Sequence, residues 1–196
     1  MKISTVVILF ALTAVLSSCL KDRSFAPPEP AGPGPGGKDS IVYGTLVVNE
    51  FLARGSTFYN ELVPPGTIGG GADWIEIFNT TYDTILMEAN RWYITDSLGD
   101  NKKYELPELA INPRSFLIVW ADGFDTVITQ IHASFGLNKD GEDLALFYKR
   151  PADDVIIPID TLTFGMQQSG VSFGRLPDGS TNWSFFSSPT PGSANQ

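Results

Sequence analysis

The chain has 196 residues and a formal net charge of −9 at pH 7, from 13 basic and 22 acidic side chains. This acidity disfavours nucleic-acid binding, because affinity for phosphate backbones comes mostly from Lys and Arg. Its 42% hydrophobic and 18% charged residues indicate a globular rather than a disordered protein. The length fits one domain of about 150 residues with a tail.

The first 18 residues are typical of a secretory signal peptide. A Met-Lys start is followed by an uncharged, mostly apolar run over 3–16, which is too short to span a bilayer, since that takes about 20 apolar residues. The tetrapeptide Leu-Ser-Ser-Cys then ends at Cys19, the one cysteine of the chain. It resembles the lipobox of bacterial lipoproteins, which implies cleavage before Cys19, acylation of Cys19 with fatty acids such as palmitate, and membrane attachment through it. The alternative is a signal peptide with an incidental cysteine.

Residues 19–40 are predicted to be a disordered tether behind the lipidated Cys19. The stretch 26–37 holds five prolines and four glycines among twelve residues, a composition that gives extended but flexible chain. The alternative is a proline-rich ligand for a groove. The folded domain is therefore expected over residues 41–196.

Short apolar runs split by turn residues follow from Thr45 onward. They are rich in Val, Ile, Phe, Tyr and Trp, which favours strands, and no window keeps helical spacing over three turns. We predict an all-β, antiparallel β-sandwich or barrel. Strands are expected at 45–53, 74–79, 91–96, 116–121, 144–148, 155–164 and 170–175. "FLIVWA" and "LALFY" should be central, whereas "WIEIFN" alternates and should have one wetter face.

A long connection without periodicity runs from Arg54 to Ala72. Loops of this length are either functional or disordered. The glycines at 69–71 lack the Lys and Ser/Thr that follow in a phosphate loop, so we interpret them as a flexible hinge.

Several segments together resemble the lamin-tail domain, an immunoglobulin-like β-sandwich of nuclear lamins and of bacterial secreted and surface proteins. They are "LVVNEFLA", "DWIEIFN", "RWYITD", "LPELAINPRSFLIVWADG", "FGLNKDGEDLALFY", "IDTLTFG", "GVSFGR" and "PTPGSAN". They cover about residues 45 to 195 in the family's order. The resemblance implies an immunoglobulin-like fold for the domain. The chain lacks the coiled-coil rod of lamins, so filament assembly is not implied.

Three acids are candidates for chemistry if the first two strands are neighbours. Glu50, Asp73 and Glu76 would offer an oxygen-rich calcium site or a pair for acid–base catalysis. The structural alternative is that Glu50 and Glu76 accept hydrogen bonds from backbone or arginine while Asp73 caps a loop. We favour the structural alternative, with no catalytic residue and no resident cofactor, and calcium as the competing possibility.

The one histidine, His132, is expected at the surface or stabilising a turn, because no nucleophile motif accompanies it. A single histidine and no thiol in the mature chain exclude a zinc site. "NKDGED" at 138–143 fails the EF-hand spacing, since Gly136 and Phe147 would occupy ligand positions. It is predicted to be a hairpin turn using Asp-Gly.

Four tryptophans could suggest sugar stacking. Trp74, Trp92 and Trp120, however, lie inside predicted strands and should fill the core, whereas Trp183 lies outside the predicted strands. Exposed aromatic rings are expected instead in the long loop, at Phe58 and Tyr59.

The sequence thus predicts a non-catalytic, lipid-anchored envelope protein of a Gram-negative-type bacterium that displays a binding or structural module. The residue after Cys19 is leucine, not the aspartate of inner-membrane retention, so we expect the outer membrane, on its surface or its periplasmic face. Its partner would be an unknown protein or glycan. The alternatives are a carbohydrate-binding or substrate-capturing lipoprotein and, more distantly, a hydrolase.

Overall fold

The computed structural model describes residues 41, 43–55, 58–62 and 71–196. The expected signal peptide, Cys19 and the tether to residue 40 lie outside the described residues. No helix among the described residues is long and apolar enough to cross a membrane.

The described residues form thirteen strands and no helix, so the all-β prediction is confirmed. The strands are β1 (Leu46–Leu52), β2 (Asp73–Asn79), β3 (Ile85–Met87), β4 (Trp92–Thr95), β5 (Tyr104–Glu105), β6 (Leu109–Ile111), β7 (Phe116–Ala121), β8 (Thr126–Val127), β9 (Ile131–His132), β10 (Glu142–Lys149), β11 (Ile156–Phe164), β12 (Ser172–Arg175) and β13 (Trp183–Phe186).

The strands assemble into one sheet of seven, one of four and one of two. The orders are β13-β12-β1-β2-β7-β9-β8, β11-β10-β4-β5 and β3-β6. The two larger sheets share one core: Ile75 and Val119 of the seven-stranded sheet are buried in one cluster with Trp92 and Leu144 of the four-stranded sheet. This is the layered arrangement of a β-sandwich.

All seven predicted strands are present, and no end differs from its predicted position by more than two residues. β7 lies between β2 and β9, and β10 lies between β11 and β4, so the central placement of "FLIVWA" and "LALFY" is confirmed. One pairing departs from a wholly antiparallel fold, because β7 and β9 run parallel.

The expected wetter face of β2 is wrong. Glu76 is 0% exposed because residues 189–195, which we call the C-terminal strap, lie over it. Trp74, on the same face, is buried with Trp120 in a second apolar cluster against which Phe58 packs. Loop segments therefore cover this outer face of the seven-stranded sheet.

A buried ion pair joins the two large sheets. Arg175 of β12 donates from Nη2 to both oxygens of Asp160 on β11, at 3.0 and 2.9 Å. The register of β1 shifts between Val48 and Glu50. The Arg175–Asp160 ion pair supplies hydrogen-bond partners for the backbone of Val48 at this shift. Val48 N–H donates to Asp160 Oδ2 at 2.8 Å, and Arg175 Nε donates to Val48 O at 2.8 Å.

The two ends of the long loop meet at its base. Ala72 N–H donates to Phe58 O at 2.8 Å. A Cβ on Gly71 would lie 2.1 Å from Phe58 O, so this backbone approach requires glycine. Of the three glycines interpreted as a hinge, Gly71 is the one described, and it is packed rather than free.

The Asp-Gly turn does not form a hairpin. Gly141, with φ +111°, donates its N–H to Asn138 O at 3.0 Å, as in a tight turn. The turn leads from β9 in the seven-stranded sheet to β10 in the four-stranded sheet. The hairpin prediction is wrong because the strands on either side belong to different sheets.

Candidate functional site

Two of the three acids nominated from the sequence meet in the structure. Glu50 and Glu76 are cross-strand partners of β1 and β2, and both are 0% exposed. Two like charges directly opposite on a sheet repel each other, so the pair depends on donors around it.

Glu50 accepts most of its hydrogen bonds from the strap. Thr190 N–H lies 3.2 and 3.3 Å from the two carboxyl oxygens, and Thr190 Oγ1 donates to Oε2 at 2.9 Å. The hydroxyl of Ser172 donates to Oε1. Burial raises the pKa of Glu50, although these hydrogen bonds oppose the rise.

Glu76 is held by one donor from β1 and one from the strap. Asn49 Nδ2 donates to Oε1 at 2.9 Å, and Gly192 N–H donates to Oε2 at 2.6 Å. Burial raises the pKa of Glu76 to about 8, and the charges of Glu50 and Asp178 add to the rise. A carboxyl of this kind is poised to hold a proton near neutral pH.

The end of the strap is anchored by Asn195. Its N–H donates to Asp178 Oδ1 at 3.0 Å, and its Nδ2 donates to Arg175 O at 2.8 Å. A Cβ on Gly174 would lie 2.8 Å from that Nδ2. The glycine in β12 thus makes room for the strap, which lies on the sheet as part of the fold.

Asp73, the third nominated acid, is placed apart from this pair. Strand alternation turns it to the opposite face from Glu76, where it accepts N–H bonds from Gly55 at 2.9 Å and Leu137 at 3.3 Å. It therefore caps the loop, as in the structural alternative. Burial raises its pKa to about 6, with Asp122 adding to the rise. No group of three or more His, Cys, Asp or Glu side chains in the described ranges could hold a metal ion.

An open cavity of about 390 Å³ lies at this end of β2 and β7. Its lining consists of Gly71, Ala72, Asp73, Ala121, Asp122, Phe124 and Gly136. The carboxyl groups of Asp73 and Asp122 give the cavity an acidic character, which suits hydrogen-bond donors or cations. Phe124 adds one aromatic ring to its wall.

His132 is buried, so the expectation of a surface position is wrong. Its Nδ1 lies 2.7 Å from Asp122 Oδ2, its Nε2 lies 3.5 Å from Glu61 Oε1, and the ring packs edge-on against Phe124. Both ring nitrogens lie near carboxylates of the chain itself, but Nε2 makes no hydrogen bond with the described residues. The histidine thus stabilises the contact between the long loop and β9.

Glu61 fastens the long loop to the turn between β8 and β9. It accepts the N–H of Thr129 at 2.9 Å, the N–H of Gln130 at 3.0 Å and the Thr129 hydroxyl. Its own N–H donates to Gln130 Oε1 at 3.1 Å. The Thr129 hydroxyl, with the two backbone donors, lowers the pKa of Glu61 to about 2. The carboxylate form is therefore the one that this contact favours.

We predict that Glu61→Gln loosens this fastening, because an amide has one acceptor oxygen in place of two. The Thr129 and Gln130 amides should exchange with solvent faster in the variant, as hydrogen-exchange NMR would report. The control is Glu108→Gln, since Glu108 is exposed. Unchanged exchange in Glu61→Gln would contradict the prediction.

The tryptophans occupy the positions expected of them. Trp74, Trp92 and Trp120 are buried, which confirms that they fill the core, and Trp183 is half-buried. The prediction of exposed rings at Phe58 and Tyr59 is wrong, since both are half-buried. Phe58 packs edge-on against Trp74 with ring centroids 5.9 Å apart.

Several residues of this region were not nominated from the sequence. Glu61 and Asp178 act through partners far along the chain and belong to no quoted segment. Asp122 lies in "LPELAINPRSFLIVWADG", but nothing in that segment predicts its contacts with Asn60 and His132. The strap residues Thr190 and Gly192 were noted in "PTPGSAN", but nothing in that motif names the carboxyls that they contact.

Comparisons with protein-family profiles, curated proteins and solved structures found no significant match for this chain. The lamin-tail resemblance therefore stays a prediction based on the quoted segments, and the function is proposed from the sequence and the site geometry.

Proposed function

We propose that this chain is a non-catalytic lipoprotein that displays a lamin-tail-like, immunoglobulin-like β-sandwich as a binding or structural module at the outer membrane. The lipobox ending at Cys19 supports the lipid anchor, and the Pro/Gly-rich stretch supports a spacer between lipid and domain. The all-β domain supports the module.

One observation carries the non-catalytic part: the three acids nominated from the sequence and the one histidine are engaged by the chain itself. Glu50 and Glu76 accept hydrogen bonds from the strap, Asp73 caps the loop, and His132 Nδ1 lies 2.7 Å from Asp122 Oδ2. A hydrolytic site needs such groups to converge on a substrate cleft. Here they are used to fix loops onto the sheet.

A carbohydrate-binding role is the second candidate, favoured by a contiguous aromatic cluster on β12 and β13. Phe173 stacks on Trp183 with ring centroids 5.1 Å apart and packs on Phe185 at 4.6 Å. Phe185 is 52% exposed. Because the rings cover one another's faces, they offer sugars their edges rather than a flat platform, so we place this role second. Titration with oligosaccharides, monitored by the fluorescence of Trp183, would separate the two.

We predict that Cys19→Ala abolishes acylation, because the thiol is the attachment atom in the proposed anchor. The variant should accumulate unprocessed or leave the membrane fraction, and should carry no radiolabelled palmitate. Ser18→Ala, which keeps a small residue before the cysteine, is the matched control and should be acylated normally. Acylation and membrane retention of Cys19→Ala would refute the anchor.

The face of the membrane is tested with protease added to intact cells. Degradation of the domain without lysis would mean surface display, whereas protection that ends on lysis would mean a periplasmic face. Affinity capture from the native envelope, using the mature chain as bait, would then identify the partner.

A further inference from the structure

The strap closes over two buried carboxyl groups without bringing a cation to them. Its backbone N–H groups at Thr190 and Gly192 face Glu50 and Glu76, and the residues 189–195 contain no charged side chain. The strap therefore contacts the two carboxyl groups only through uncharged hydrogen-bond donors. Burying two neighbouring ionised carboxylates without a cation costs free energy, so the uncharged form of one of them is favoured.

The charged groups around the pair are negative. Asp178, in the turn before β13, raises the pKa of both Glu50 and Glu76 by its charge. On the β7 side the partner of Glu76 is the apolar Ile118. The guanidinium of Arg175 is bound to Asp160 between the sheets, so it does not neutralise the pair.

The site has places for a proton. Glu50 lies against the hydroxyls of Ser172 and Thr190, and a hydroxyl can accept a hydrogen bond from a protonated carboxyl as readily as it donates one to a carboxylate. Because the charge of Glu50 raises the pKa of Glu76, a proton on one carboxyl makes ionisation of the other easier, and the two titrations are coupled.

We propose that the C-terminal strap is a proton-controlled latch, which docks on the sheet while the Glu50–Glu76 pair retains a proton and is released when both carboxyls ionise. Release would uncover the acidic side chains of Glu50, Glu76 and Asp178 on the outer face of the seven-stranded sheet. This conformational device is independent of the proposed anchoring and display function.

The direction of the pH effect follows from the raised pKa values. Burial raises the pKa of Glu76 from its ordinary 4.5 to about 8, so the docked state binds a proton more tightly than the open state. Docking is then most favourable below about pH 4.5 and weakens as the pH rises through about 8. With one proton coupled, the opening equilibrium increases about tenfold per pH unit within that window.

The test is hydrogen exchange of the strap, followed by mass spectrometry on the full mature chain in detergent between pH 6 and pH 9. After correction for the intrinsic pH dependence of exchange, protection of the strap should fall as the pH rises. Glu50→Gln imitates the protonated acid beside the Ser172 and Thr190 hydroxyls, so its strap should stay protected across the range. Glu88→Gln, an exposed control, should keep the wild-type profile.

Thr190→Val provides a second variant that leaves both acids in place. It removes the hydroxyl donor to Glu50 while keeping the side-chain volume, so the strap should open more at every pH with the same pH slope. Equal protection of the wild-type strap at pH 6 and pH 9 would overturn the latch, as would a Glu50→Gln profile that matches the wild type.

Discussion

Replacing Arg175 by methionine should lower the free energy of unfolding by about 3–5 kcal/mol, because it leaves Asp160 buried without its counter-charge. The Arg175 and Asp160 side chains are 8% and 3% exposed. The loss extends to the backbone, since Arg175 Nε is also the donor to Val48 O. Urea unfolding monitored by tryptophan fluorescence would measure the change.

Two further variants separate burial from charge. The double variant Arg175→Met with Asp160→Leu should recover part of the loss, because no uncompensated charge remains, but Val48 N–H still lacks its acceptor. Arg150→Met removes the exposed pair between Arg150 and Asp153 and should leave the urea midpoint nearly unchanged. Equal, small shifts in Arg175→Met and Arg150→Met would contradict a structural role for the buried pair.

Trp92→Ala should destabilise the domain by a similar amount, about 3–5 kcal/mol, because a large buried side chain leaves a cavity that the core cannot fill. Trp92 is 0% exposed, lies in the core shared by both sheets, and packs against Tyr148 with ring centroids 4.8 Å apart. Thermal and urea unfolding followed by circular dichroism would measure it.

Two controls accompany that variant. Trp92→Phe keeps an aromatic ring and removes an indole N–H that has no hydrogen-bond partner in the described structure, so it should cost much less than the alanine. Trp183→Ala, at a half-buried position, should also cost less. A Trp92→Ala variant as stable as Trp183→Ala would argue against a single core between the sheets.

The longer strands could be predicted from the sequence because each combines β-branched and aromatic residues over enough positions to show a pattern. "FLIVWA" is β7 without change, and "LALFY" lies inside β10. Strands of two or three residues, such as β5 and β8, are too short for any period to be read. Their formation depends on neighbours that the local sequence does not reveal.

The candidate site was predictable only where it depends on neighbouring strands. That Glu50 and Glu76 meet follows from adjacent strands, whereas their burial depends on Thr190 and Gly192, which lie 140 and 116 residues away. The alternation in "WIEIFN" therefore predicted a wet face that the strap covers. His132 likewise reads as a surface residue until Asp122 and Glu61 are placed beside it.

The closed base of the long loop bears on how the domain can change during evolution. Since Phe58 and Ala72 are already joined by a backbone hydrogen bond, residues inserted between them lengthen a ring whose ends are fixed by the sandwich. Each doubling of such a loop costs only about 0.6 kcal/mol in closure entropy. This connection is therefore the place where a new recognition sequence could be grafted with the least disturbance to the sheets beneath it.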